Sequence, residues 1–150
     1  SLHTGLGKEE TLHLITGRFF KEENKKFLQE IYTPTEGTEL SNEDAEGFYR
    51  VYGDFADFTQ QIAESFPDKK FVGVTMEYGT IGNGLSAKLS SVNRMILENQ
   101  GHHFGYATKN QEEKVKKRFL ELYYPDSQSW KDQVIEKARE FFDQIVKNLN

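Results

Sequence analysis

The 150-residue sequence contains no cysteine, which excludes a disulfide framework, a thiol nucleophile and thiolate as a metal ligand. Proline is scarce, three in all, and no Pro-rich linker, internal repeat or low-complexity tract divides the chain. No apolar run approaches the length of a membrane span, and no signal-peptide pattern opens the sequence. Basic residues are in deficit. The 19 Lys and Arg against 24 Asp and Glu leave a net charge of -5, which argues against a nucleic-acid footprint. The expectation is a cytoplasmic globular protein with neither membrane nor nucleic acid among its partners.

What is present is a foldable chain. Hydrophobic residues make up 36% and aromatics 13%, mostly 12 Phe and 7 Tyr, enough for one domain over residues 1–150 with a sizeable core. Leu12, Leu14 and Ile15 mark a short strand over 11–16, ended by Gly17. Phe27, Leu28 and Ile31 share one side of a helix over 22–32 that stops at Thr33-Pro34. The acidic stretch 36–47 shows no periodicity and reads as a surface loop, followed by a brief aromatic strand over 48–52. Asp54 is a candidate N-cap for a helix with Phe55, Phe58, Ile62 and Phe66 at helical spacing, closed by Pro67. The nearly continuous apolar run Phe71, Val72, Val74, Met76 predicts a buried strand over 70–78. Leu85, Leu89, Val92 and Ile96 then line a helix ending near Gly101, and two more helices follow, one over 111–124 and one carrying Trp130, Val134, Ala138, Phe141, Ile145 and Leu149. Strands alternating with helices predict an α/β class, a mixed sheet flanked by helices on both faces.

Two short segments carry candidate chemistry. His3-Thr4-Gly5-Leu6-Gly7 reads as the end of a buried strand that delivers one imidazole, with Gly5 and Gly7 letting the backbone turn away. Met76-Glu77-Tyr78-Gly79-Thr80 puts a carboxylate at the end of an apolar strand, just before a glycine-rich break. A carboxylate there is costly to bury unless paired or at an opening, and desolvation favours its use as a general base. Amide hydrolysis on zinc needs three protein ligands, an open position for water and such a carboxylate. The bland alternatives are a solvated terminal His3, and a Glu77 that pairs with a lysine or caps the helix at 83–85. His13 reads as a satisfied core or edge residue, and His102 and His103 as cations at a helix end. Lys114, Lys116, Lys117 and Arg118 read as a solvated helix face balanced by Glu112, Glu113 and Glu121. Tyr49, Tyr52 and Tyr78 are candidates for a cleft, with core packing the commoner use of such aromatics.

In this order, His3-Thr4-Gly5-Leu6-Gly7, Glu77-Tyr78-Gly79-Thr80 and Tyr123-Tyr124-Pro125-Asp126 with Trp130 resemble the zinc carboxypeptidase superfamily. The closest likeness is to its largely uncharacterised branch with HTGLG and E-(F/Y)-G-T motifs. The resemblance implies an α/β/α domain of phosphorylase/hydrolase-like type holding one zinc ion. It implies His3 as the third zinc ligand and Glu77 as the general base, with a peptide or an N-acyl amino acid as substrate. The superfamily's first two ligands come from a His-x-x-Glu motif, and none occurs in these 150 residues. The chain also begins Ser1-Leu2-His3, without an initiator methionine. The expectation is therefore the C-terminal part of a metallopeptidase-like catalytic domain. Zinc belongs to the intact parent, and the isolated chain is expected to be inactive and to self-associate or pair with a missing N-terminal half. The alternative is a non-catalytic binding or assembly domain derived from the same fold.

Overall fold

A computed structural model describes residues 1–5, 7–17, 20–42, 53, 55–82 and 84–149. The expected strand over 48–52, the Asp54 cap, Tyr49 and Tyr52 lie outside the described residues. Within them the chain runs β1 (Leu2–Gly5), β2 (Leu12–Thr16), α1 (Glu22–Ile31), β3 (Thr38–Asn42), α2 (Phe55–Ala63), β4 (Val74–Gly79), α3 (Leu85–Phe104), α4 (Lys109–Leu120) and α5 (Gln128–Leu149). The four strands form one mixed sheet in the order β1-β4-β2-β3, with β1 parallel to β4, β4 antiparallel to β2 and β2 parallel to β3. The α/β class expected from the sequence is what the chain adopts.

Strand alternation separates two sheet faces. Leu12 and Leu14 of β2 and Met76 and Tyr78 of β4 share the apolar face, where they pack with Leu28, Ile31 and Tyr32 and with Trp130 and Phe141 of α5. The Tyr32 and Phe141 rings meet edge to face, centroids 4.9 Å apart. α1 ends where expected, because the residue before Pro34 is pushed out of helical geometry. Its last carbonyls are then taken by α5. Asn148 donates to Ile31 O at 3.1 Å, and the Gln144 amide both donates to Thr33 O and accepts from Thr33 N.

Three expectations need correction. The stretch read as a loop over 36–47 contains β3, which pairs along its full length with β2. Its sequence Thr-Glu-Leu-Ser-Asn has one apolar residue, so pairing to a neighbouring strand rather than burial specifies it. α3 runs past Gly101 to a C-cap at Gly105, which places His102 and His103 inside its last turn. The third correction concerns burial. α3 forms as expected and α2 stops at Ala63, short of Phe66, but Phe55, Phe58 and Ile62 on α2, Phe66 beyond it, and Leu85, Leu89, Val92 and Ile96 on α3 are exposed. α2 buries Ala56, Asp57 and Gln60 instead.

The chain consequently exposes 10018 Å², about 2,100 Å² more than the ~7,900 Å² typical of a monomer of its mass. Among the described residues, no helix is long and apolar enough to cross a membrane.

Candidate functional site

The parallel register of β1 and β4 sets His3 directly beside Glu77, so both side chains lie on the same face of the sheet. His3 Nδ1 stands 3.7 Å from Glu77 Oε2. Their exposures differ sharply: the imidazole is 57% exposed and the carboxylate 7%. The sequence placed His3 on a buried strand. β1 is in fact an edge strand, and that is why the imidazole is open.

The register across the sheet adds residues that the motifs did not point to. β2 places His13 opposite Glu77, and β3 places Glu39 opposite His13, so that His3, Glu77, His13 and Glu39 make a row on the polar face. His13 is the satisfied, buried histidine expected from its strand, but its place beside Glu77 was not legible. Its Nε2 accepts the Lys8 backbone N–H at 3.2 Å, which assigns the ring proton to Nδ1. Nδ1 lies 3.3 Å from Ser41 Oγ and 3.6 Å from Glu39 Oε2. Burial lowers the His13 pKa; the Glu39 carboxylate pulls it back up, and Lys8 pushes it further down.

The motifs meet around this row. Gly5 and Gly7 adopt φ of 138° and 94°, a conformation that side chains disfavour, as their expected turning role requires. The returning chain crosses the end of β4 so closely that a Cβ on Gly79 would stand 1.8 Å from Lys8 O. The Thr80 hydroxyl is buried 2.7 Å from Leu122 O and 3.1 Å from Gly5 O. Thr4 Oγ1 donates to Tyr123 O at 2.6 Å, and Trp130 Nε1 donates to Gly79 O at 2.9 Å. Three segments far apart in sequence are thus tied at one end of the sheet. Tyr78 is not part of a cleft. It points into the core, where burial and then the nearby Tyr32 push its phenol up to about 12.

A zinc ion needs three protein ligands, and no group of three or more His, Cys, Asp or Glu is arranged to hold a metal among the described residues. His3 and Glu77 offer one accessible imidazole beside one shielded carboxylate. Elsewhere, His102 and His103 meet edge to face, centroids 5.1 Å apart, and His103 also lies against Phe104. Lys116 and Lys117 pair with Glu112 and Asp126 on an exposed face of α4, as expected of a solvated helix. No curated protein and no solved structure matches the chain. A family model does match, across residues 1–137, and the chain belongs to that family, described as Protein of unknown function (DUF2817).

Proposed function

We propose that this chain is the C-terminal portion of a zinc-dependent peptidase or amide hydrolase, with His3 as one metal ligand and Glu77 as general base. The observation that carries the reading is the β1–β4 register, which turns two motifs 70 residues apart into an open imidazole 3.7 Å from a shielded carboxylate. Glu77 would take a proton from the attacking water and deliver it to the leaving nitrogen of a peptide or N-acyl amino acid. Zinc, when bound, would supply Lewis acidity at the carbonyl. The remaining ligands would come from outside the described residues. The exposed apolar stripes of α2 and α3 support that division, since contiguous apolar faces of this kind mark contact surfaces. An apolar groove of about 530 Å³, lined by Leu2, Phe55, Phe71, Phe142 and Ile145 among others, opens on the sheet face opposite His3 beside the edge strand β1.

The test is made on the longest natural protein containing this chain, assayed for bound zinc and for hydrolysis of N-acyl amino acids and short peptides. Glu77→Gln is expected to retain zinc and lose at least about 100-fold in kcat. Full turnover in that variant would remove Glu77 from the mechanism. The 150-residue chain alone is expected to be inactive, and zinc-dependent turnover by it would show the site to be complete. The same exposed surface favours a second reading, a binding or assembly domain without catalysis. An intact parent that binds no zinc and hydrolyses nothing would select it.

A further inference from the structure

We propose that His13 is a positioning residue for the carboxylate side of this site: its imidazole pins the Gly7–Lys8 segment across the end of β4, on the flank of Glu77 away from His3. Three contacts carry the assignment. The Lys8 N–H donates to His13 Nε2 at 3.2 Å. Lys8 O lies against Gly79, the next residue after Glu77 on the same sheet face. His13 itself is buried and stands directly opposite Glu77 across the β2–β4 ladder. Among the described residues, His13 and the pinned Lys8 segment thereby form a wall on the β2 side of Glu77, and the exposed His3 ring stands on its β1 side. The wall is held from behind. Thr11 N donates to Lys8 O and Gly79 N to Thr11 O, while His13 Nδ1 faces Ser41 and Glu39.

The consequence is directional. A water or substrate atom that reaches Glu77 from the β1 side does so beside His3, the geometry a ligand-and-base pair requires. In its catalytic part the inference rests on the function proposed above, while its structural part stands alone. Both are tested on His13→Ala and His13→Gln, the glutamine keeping an acceptor oxygen for the Lys8 N–H.

In the wild-type chain, long-range proton–nitrogen NMR is expected to show His13 Nε2 unprotonated. A protonated Nε2 overturns the proposal even where His13→Ala fails to fold. In His13→Ala, amide exchange at Lys8 is expected to accelerate at least about tenfold while Leu14 and Met76 are unchanged, and His13→Gln restores protection. Unchanged exchange at Lys8 overturns the pinning role. In the hydrolysis assay of the intact protein, His13→Ala is expected to lower kcat with zinc retained, and His13→Gln to recover it. Full kcat in His13→Ala, with Glu77→Gln inactive, overturns the catalytic part alone. An active Glu77→Gln instead removes the function reading and leaves the pinned loop standing.

Discussion

At the C-terminal ends of β1 and β4, three sequence segments are tied together by hydrogen bonds, two of them fully buried, whereas α2 and α3 turn phenylalanine and leucine stripes toward solvent. The first region is self-sufficient. Thr80, Trp130 and Thr4 each satisfy a carbonyl from a different segment, and Gly79 lets two backbones touch. The second is built for contact without having it: Leu85 is 75% exposed at the start of a stripe that continues through Leu89, Val92 and Ile96. The two regions respond oppositely to substitution. A change at the tied end costs folding free energy, and a change on the stripes costs association.

The sharpest way to break the comparison is Gly79→Ala. Its new methyl meets the Lys8 carbonyl, which is backbone and cannot swing away, so a loss of about 3 kcal/mol or more is expected from urea unfolding. A loss under about 0.5 kcal/mol would mean that the two segments are not in contact. Thr80→Val keeps the shape and removes the hydroxyl from two carbonyls. It is expected to cost about 1–3 kcal/mol, and Trp130→Phe a similar amount by orphaning Gly79 O. Leu85→Gln and Leu89→Gln on α3 are expected to change stability by no more than about 0.5 kcal/mol each while reducing light scattering at high concentration. A large stability loss there would show the stripe to be covered within the chain itself.

The smallest effect is with pH. Because the folded-state pKa of His13 lies below its ordinary value, the unfolded chain binds the proton first as pH falls. Its contribution is fully present above about pH 6.5 and is lost as pH drops through the lowered folded value. Urea midpoints measured from about pH 8 to pH 5 should decline on the acid side, and His13→Gln should flatten that decline.

How much was legible differs residue by residue. Leu12, Leu14, Met76 and Trp130 were legible as core, because apolar spacing reports burial when the element meets its partner inside the same chain. The same spacing misled on Phe58 and Leu89. Periodicity reports that a helix has an apolar face and says nothing of which polypeptide covers it. β3 was missed because Thr38–Asn42 is specified by hydrogen bonding to β2, a signal with no apolar pattern. His3 and Glu77 were found from their motifs, while His13 was set aside. A histidine on a mid-length strand looks the same whether its cross-strand neighbour is an alanine or a buried carboxylate.

The sequence by itself determined the α/β class, most of the helices, the glycine turns and the two residues offered as ligand and base. Those follow from local chemistry: backbone freedom at Gly5 and Gly7, the break before Pro34, and a carboxylate in an apolar run. Tertiary structure alone decided that His3 and Glu77 are neighbours, that His13 stands behind them, and that whole helical faces are left open. Strand register and sheet order decide those things. They are set by pairing between segments tens of residues apart, where a shift of one residue turns every side chain to the opposite face.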